Sequence, residues 1–279
     1  MNRINIFLEH IYEACGQRGI TLEQMLNEAR EMGYSGLECD IWRLEDRSLK
    51  PLLDRCGMGA ASVYAQFDFP HESEENLSER MTACLETAAY FGADRLLAIP
   101  GFVCGGDDRD TACGRICAGL SELCAHAEKY GMTVVIEDFD DINAPYSTAA
   151  GLEYFLRNVR GLGCAFDTGN FAYSLESAAE AYELLRPWTV HAHLKDRSRD
   201  ASRASLDGGN AKADLNGEMM YPCEAGGGYA GVGDVVKKML KDGYAGDFSI
   251  EHFGAVDQTG YMKRSIENLL GWIKEYENG

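Results

Sequence analysis

The chain has 279 residues, of which 46% are hydrophobic and 25% are charged, a composition typical of a globular protein with a large core. Its formal net charge of −19 at pH 7 repels polyanions and disfavours nucleic-acid binding, and no apolar run is long enough to span a bilayer. The N-terminus lacks a signal-peptide pattern, and the 10 cysteines form no C-x-x-C pair, so we expect free thiols in a reducing cytoplasm.

Short apolar segments alternate with longer helical patterns from one end of the chain to the other. Eight of the short segments are predicted strands: Arg3–Phe7, Gly36–Cys39, Ala60–Ala65, Arg95–Ile99, Thr133–Glu137, Cys164–Asp167, Thr189–Leu194 and Phe248–Glu251. The helical patterns between them include Leu22–Met32, Ser78–Phe91, Thr111–Tyr130 and Ser174–Leu185. Several helix-to-strand junctions carry a glycine in the position of a helix C-cap: Gly33, Gly57, Gly92, Gly131 and Gly243.

The repeated order of strand then helix predicts an α/β fold with a parallel sheet. Eight repeats without a Pro- or Ser-rich linker favour a single (β/α)₈ TIM barrel, one domain over residues 1–279. A doubly wound open sheet is the alternative, but no G-x-G-x-x-G follows the first strand.

One long segment departs from the alternation. Residues 197–232 are rich in Gly, Ser, Asp and Asn and contain the triplet Gly226-Gly227-Gly228. Because the segment follows the seventh strand, it lies over the active-site face of the predicted barrel. A mobile lid and a surface excursion are equally consistent with its composition.

The residues that indicate chemistry lie at the ends of the last four strands. Val134 and Ile136 form the outward pair of the fifth strand, so Glu137 points inward. The same alternation places one ligand-type side chain inward at the end of each following strand: Asp167, His193 and Glu251.

Three buried carboxylates beside an imidazole need a cation or protons, because an unpaired buried charge is very unfavourable. Three oxygens and one nitrogen predict one divalent metal ion (Mn²⁺, Mg²⁺, Co²⁺ or Zn²⁺) with positions open for substrate. Any one of these residues is more often a helix cap, an ion-pair partner or a hydrogen-bonded core residue, and only their combination favours a metal site.

The chain resembles the sugar isomerase/epimerase superfamily of metal-dependent barrels. That superfamily includes xylose isomerase-like enzymes, ketose 3-epimerases, hydroxypyruvate isomerase, inosose dehydratase and apurinic endonuclease relatives. The matching segments are Val135-Ile136-Glu137, Phe166-Asp167-Thr168-Gly169-Asn170, His193-Leu194-Lys195-Asp196, Gly231-Val232-Gly233-Asp234 and Ile250-Glu251, with Gly33-Tyr34-Ser35-Gly36-Leu37-Glu38 as the best match in the N-terminal half. The resemblance implies that Glu137, Asp167, His193 and Glu251 hold the metal.

The same resemblance implies an isomerase or epimerase acting on a sugar or sugar derivative. We predict that Glu137 and Glu251 also act as acid and base, moving a proton next to a carbonyl through an enediolate. A lyase or dehydratase acting on a keto-polyol or oxidised glycoside is the main alternative, and a barrel that only binds a sugar or a metal is a more distant one. Relatives often form dimers or tetramers, so a homo-oligomer is a further expectation.

An endonuclease is disfavoured by two departures from the relatives. Asn170 stands where the endonuclease relatives and the ketose 3-epimerases commonly place a histidine, and no Asp-x-His pair follows the seventh strand. Together with the charge of −19, these departures favour one metal and a small-molecule substrate over a nucleic acid.

Five further residues are predicted to bind substrate: Lys195, Arg197, Asn170, Glu38 and Tyr64. The alternatives are an ion pair of Lys195 with Asp196 or Glu224, a surface position for Arg197, a structural hydrogen bond for Glu38 and a core position for Tyr64. Trp42 and Phe67 are expected in loops at the barrel mouth, where an aromatic ring can stack on a sugar. We expect His191 one layer deeper in the barrel than His193. We expect His252 on the outer face of the barrel, because it has the opposite parity to Glu251.

Overall fold

The computed structural model describes residues 2–278, and it contains a closed barrel of parallel strands surrounded by helices. The barrel strands are β1 (Ile4–Phe7), β2 (Gly36–Asp40), β3 (Ala60–Gln66), β4 (Arg95–Ile99), β5 (Thr133–Ile136), β6 (Gly163–Asp167), β7 (Thr189–Ser198) and β10 (Asp247–Glu251). Two short strands, β8 (Lys212–Ala213) and β9 (Met219–Cys223), lie between β7 and β10. The helices are α1 (Leu8–Arg18), α2 (Leu22–Met32), α3 (Leu49–Cys56), α4 (Glu74–Phe91), α5 (Arg109–Glu128), α6 (Ala149–Asn158), α7 (Ala178–Leu185), α8 (Val232–Lys241) and α9 (Gln258–Asn278).

Strand β10 closes the barrel, because it pairs in parallel with β1 on one side and with β7 on the other. From β1 to β7, each strand pairs in parallel with the next one along the chain. The predicted (β/α)₈ barrel is therefore confirmed for the described part of the chain, and the open doubly wound sheet is wrong.

Local capping explains where the helices begin and end. The hydroxyl of Ser73 accepts the backbone N–H of Asn76, so α4 begins at Glu74 rather than at the predicted Ser78. In the same way, Ser177 starts α7 at Ala178, four residues after the predicted start. Gly92 ends α4 with a φ of 86°, a conformation that residues with a Cβ rarely adopt.

The alternation of side chains separates an outer core from an inner one. Val134, Ile136 and Phe166 pack with the helices in the large outer core. Val135 and its neighbour Ala165 belong to a small cluster inside the barrel. Glu137 and Asp167 share the parity of this inner pair, so both carboxylates end up inside the barrel mouth.

The segment after β7 is folded rather than irregular. Strand β7 continues to Ser198 and pairs with β9 in an antiparallel arrangement, and β9 pairs with β8. The carboxylate of Asp196 accepts the backbone N–H groups of Arg197, Gly226, Gly228 and Ala230. A Cβ on Gly228 would lie 2.2 Å from the carbonyl oxygen of Arg197, so this close approach requires a glycine at position 228.

The glycine triplet is thus fixed to the end of β7. Within residues 2–278, none of the helices is both long enough and apolar enough to cross a membrane.

Candidate active site

Glu137, Asp167, His193 and Glu251 converge at the C-terminal end of the barrel strands. One ligand atom from each of these residues lies within 4.8 Å of the others. The register explains the convergence, because Asp167 is paired with His193 across β6 and β7, and Ser249 of β10 is paired with His193 on the other side. The structure therefore brings together all four predicted metal ligands, from four consecutive barrel strands.

Asp167 has one carboxylate oxygen held by the backbone and one oxygen available for a ligand. Its Oδ1 accepts the backbone N–H of Gly169 at 2.6 Å and of Asn170 at 2.7 Å. Its Oδ2 is buried and has no hydrogen-bond partner among residues 2–278. A buried carboxylate oxygen without a partner is costly, and a cation beside it would remove that cost.

His193 presents Nδ1 to the cluster, at 2.8 Å from Glu137 Oε2 and 3.5 Å from Glu251 Oε2. Its Nε2 lies 3.2 Å from Oε1 of the fully buried Glu38. A carboxylate behind an imidazole is the usual arrangement that orients a metal-binding histidine. The donor set of this chain fits a divalent metal, which His193 Nδ1 and the three carboxylates would hold.

Glu38, predicted to bind substrate hydroxyls, is fully buried and lines neither of the cavities at the barrel mouth described below. It lies one layer deeper, where it also contacts His191 Nε2 at 2.8 Å and accepts the hydroxyl of Ser62 at 3.1 Å. This is the structural hydrogen bonding that the sequence left open. His191 occupies the deeper layer predicted for it, and it is fully buried.

The pKa values in the cluster are shifted by burial and by neighbouring charge. Burial raises the pKa of Glu137 to about 7 and raises that of Asp167 as well. Burial alone would lower the pKa of His193, but the carboxylates of Glu38 and Glu137 raise it well above its ordinary value. Without a metal, this cluster therefore holds protons that a cation would replace.

Lys195 forms an ion pair with Glu251, at 2.5 Å between Nζ and Oε1. The register places Glu251 directly beside Lys195, one step nearer the mouth than His193. The alternative partners, Asp196 and Glu224, are engaged elsewhere: Asp196 by backbone N–H groups and Glu224 by Arg203. The ammonium of Lys195 thus neutralises one carboxylate of the cluster and fixes its orientation.

A cavity of about 210 Å³ lies over the cluster. Asn170 lines it and donates its Nδ2 to the backbone oxygen of Asp138, which leaves Oδ1 buried and without a partner in the described chain. Tyr64 also lines it, packed against the inner cluster of the barrel, and burial raises the pKa of its hydroxyl. The cavity is lined by Phe7, Tyr64, Leu97, Ile99, Glu137, Phe139, Asp140, Asn170, Lys195, Glu251 and Phe253.

A second cavity of about 340 Å³ adjoins the first, and the two share Asp140, Lys195 and Phe253. The guanidinium of Arg197 is 2.9 Å from Asp140 Oδ2, and Lys212 Nζ is 3.0 Å from Asp140 Oδ1. Arg197 therefore lies inside the site and not on the surface. Residues 209–212 of the segment after β7 form part of the cavity wall, so this segment encloses space beside the barrel mouth.

The aromatic residues at the mouth differ from the two that were predicted. Phe67 is fully buried and stacks on Phe69 at 5.4 Å, so it does not reach the cavity. Trp42 is exposed and stacks with the guanidinium of Arg43 at 3.8 Å. Phe253 lines both cavities instead, two residues beyond the end of β10.

The loop residues that follow Glu137 also line the site, although they were not predicted from the sequence. Asp140 lines both cavities, and Asp138 is fully buried with no partner for either side-chain oxygen among residues 2–278. Burial raises the pKa of Asp138, and the charges of Asp167 and Glu137 add to the effect. The available signal was the run Glu137-Asp138-Phe139-Asp140 directly after a buried strand.

Comparison with known proteins gives the family. The family model described as xylose isomerase-like TIM barrel matches residues 26–276. The chain belongs to this family. No curated protein sequence matches it at a significant level.

Several solved structures are similar to this chain in fold. The probable 3-DHS dehydratase AsbF from Bacillus anthracis has a TM-score of 0.72 and 16% identity, covering 97% of this chain and 99% of the other. The 3-keto-D-glucoside 4-epimerase YcjR from E. coli has a TM-score of 0.71 and 17% identity, and the match covers 97% of this chain and 100% of the other. A xylose isomerase-like TIM barrel protein from Mycobacterium smegmatis, in complex with magnesium, has a TM-score of 0.68 and 18% identity. The match covers 91% of this chain and 88% of the other.

Proposed function

We propose that this family member is a divalent-metal-dependent isomerase or epimerase acting on a sugar or sugar derivative. The observation that carries the proposal is the convergence of Glu137, Glu251, Asp167 and His193 beneath a cavity that Lys195 also lines. A divalent cation held by these four residues would polarise a substrate carbonyl and bind a neighbouring hydroxyl. The net charge of −19 supports a small-molecule substrate.

We propose that Glu137 and Glu251 act as the base and the acid. Glu137 follows the last residue of β5 and Glu251 ends β10, and both line the cavity over the cluster. One carboxylate removes the proton next to the carbonyl, and the other returns a proton to the opposite face or to the adjacent carbon.

The polar residues around the cavity bind and orient the substrate. Asn170 Oδ1 is available to accept a substrate hydroxyl, and Tyr64 lines the same cavity. Arg197 and Lys212, which share Asp140, provide polar contacts for the part of the substrate that extends into the second cavity. Substrate choice then depends on the segment after β7, because it supplies Lys212.

The position of Lys195 supports elimination as a second candidate. Its ammonium lies beside Glu251 at the boundary of the two cavities, where it can protonate a leaving β-hydroxyl after Glu137 or Glu251 has removed the α proton. The product of that sequence is an unsaturated or deoxy ketone and water. An epimerase or isomerase instead leaves the atom count of its substrate unchanged.

Proton exchange in D₂O tests the proposal. The protein is loaded with Mn²⁺, Mg²⁺, Co²⁺ or Zn²⁺ and incubated with ketoses, inososes and 3-keto-glycosides, while NMR follows the α C–H signals and any product. We expect metal-dependent exchange that falls at least ~100-fold in Glu137→Gln and Glu251→Gln. Glu86→Gln, on the exposed face of α4, is the matched control and should keep full activity.

The metal content of each variant is measured in parallel, because both carboxylates also serve as ligands. Loss of exchange in a variant that still binds metal assigns the residue to proton transfer. Absence of exchange across the panel, in wild-type protein with a metal tightly bound at the barrel mouth, would contradict the proposal. The products identify the reaction as epimerisation, isomerisation or elimination.

A further inference from the structure

A second group of metal-ligand side chains lies outside the barrel mouth, on two neighbouring loops. His71 lies between β3 and α4, and Cys104 and Asp107 lie between β4 and α5. The nearest ligand atoms of the three side chains lie within 4.8 Å of one another. None of these residues belongs to the cluster of Glu137, Asp167, His193 and Glu251.

His71 is oriented by a carboxylate on each side of its ring. Its Nδ1 is 2.7 Å from Asp68 Oδ1, and its Nε2 is 3.0 Å from Asp107 Oδ2. A proton on Nδ1 that is donated to Asp68 leaves the lone pair of Nε2 directed toward Asp107 and Cys104. This is the carboxylate–histidine–metal arrangement, with Asp68 as the orienting carboxylate.

Cys104 and Asp107 are fixed relative to each other by a tight turn. The backbone N–H of Cys104 donates to Asp107 Oδ2 at 2.6 Å, and the backbone N–H of Asp107 donates to the Cys104 oxygen at 3.1 Å. All ten cysteines lie within residues 2–278, and among them Cys104 alone is exposed. The other cysteines are buried or partly buried, so this thiol is the most accessible to a metal ion in solution.

We propose that Cys104 Sγ, His71 Nε2 and Asp107 Oδ2 form a second metal site that takes Zn²⁺ or a similar borderline-soft ion, with the fourth position open. Ligand atoms on one tetrahedral zinc lie about 3.4 Å apart, so the observed 3.0 Å between Nε2 and Oδ2 requires only a small adjustment. A thiolate ligand favours Zn²⁺ or Co²⁺ over Mg²⁺, whereas the three carboxylates at the barrel mouth accept hard ions.

Binding of a divalent ion would need His71 Nε2 without a proton, and it would displace the thiol proton of Cys104. The bound ion would tie the loop after β3 to the loop after β4, at the end of the barrel where the cavity opens.

Cobalt spectroscopy separates this site from the barrel mouth. A thiolate bound to Co²⁺ gives a ligand-to-metal charge-transfer band in the near ultraviolet, and the barrel-mouth donors contain no sulfur. We expect the full-length reduced protein to bind two equivalents of Co²⁺, one of which produces the band. Cys104→Ser should lose the band and one equivalent, while Cys117→Ser on α5 is the matched control and should keep both.

Two more variants define the ligands. Asp68→Asn should lower the affinity of the band-producing site for Co²⁺ by about 10- to 100-fold, because it removes the carboxylate that orients His71. Asp167→Asn should lose the barrel-mouth ion and keep the band. A wild-type protein without the band, or a Cys104→Ser protein that retains it, would overturn the proposal without affecting the proposed isomerase function.

Discussion

His193 links the buried layer of the barrel to the cluster at its mouth. One ring nitrogen faces Glu38, at the level of His191, and the other faces Glu137 and Glu251. Burial alone would raise the pKa of Glu38, but its interactions with His193 and His191, which include a hydrogen bond from each, hold that pKa well below its usual range. Glu38 is therefore a permanent negative charge behind the imidazole, and it acts as a positioning residue.

Removing that charge should weaken metal binding without removing a metal ligand. In Glu38→Gln the amide oxygen can still accept a hydrogen bond from His193, but the imidazole becomes a weaker donor to the metal. We expect the affinity for Mn²⁺ to fall about 10- to 100-fold, measured by calorimetric titration. Glu86→Gln is the control, and an unchanged affinity in Glu38→Gln would show that Glu38 has no orienting role.

At the scale of elements, the junction of α1 with the end of β10 is held by two buried histidines. The backbone N–H of His252 donates to Nε2 of His10 at 2.9 Å, and the two rings stack at 4.8 Å. Burial lowers the pKa of both residues, and that of His252 falls to about 4. Both imidazoles are therefore neutral in the folded protein at mildly acidic pH.

This junction should lose stability as the pH falls. In the unfolded chain His10 takes up a proton near pH 6.5, whereas in the folded protein it stays neutral, so the unfolded state binds more protons. The free energy of unfolding should therefore decrease by about 1.4 kcal/mol per pH unit below pH 6.5 for this residue. His10→Gln retains an acceptor for the backbone N–H of His252. Its free energy of unfolding should therefore rise relative to that of wild type by about 1.4 kcal/mol for each pH unit below pH 6.5.

Urea unfolding at several pH values between 7 and 5 measures the difference between the two proteins, so that titration of other groups cancels. Glu13→Gln serves as the control, because Glu13 lies 3.9 Å from His10 and has the opposite dependence. Burial raises the pKa of Glu13 to about 7, so its contribution to stability increases as the pH falls. A difference between His10→Gln and wild type that does not vary with pH would contradict the prediction.

At the scale of the whole molecule, an ion-pair network at the N-terminal end of the strands connects distant parts of the barrel. Asp247 of β10 contacts Arg3, which precedes β1, at 2.6 Å, and Arg95 of β4 at 2.5 Å. Asp94 contacts the same two arginines from a more exposed position. The carboxylate of Asp247 is largely buried, so its loss leaves two guanidinium groups facing each other across the barrel floor.

Asp247→Ala should lower the free energy of unfolding by about 2 kcal/mol, because a charged hydrogen-bond partner is removed from a buried position. Asp94→Ala removes the more exposed partner and should cost about 0.5 kcal/mol. Equilibrium unfolding in urea compares the two variants. Equal losses would show that burial of Asp247 adds nothing to the pairing.

The sequence by itself determined the strands, their order and the side of each strand on which a residue lies. These features follow from local rules, because alternation has a period of two and needs no knowledge of the partner strand. For this reason Glu137, Asp167, His193 and Glu251 could be predicted as a set. The family segments of the C-terminal half contain the same four residues.

Only the tertiary structure decided the height of each inward residue along the barrel axis. Height depends on the stagger between strands, which places Glu38 below the mouth and Glu251 beside Lys195. The partner of Lys195, the aromatic residue at the mouth and the folded segment after β7 were likewise unpredictable. Each of them depends on contacts between residues far apart in the chain, and no local pattern determines such contacts.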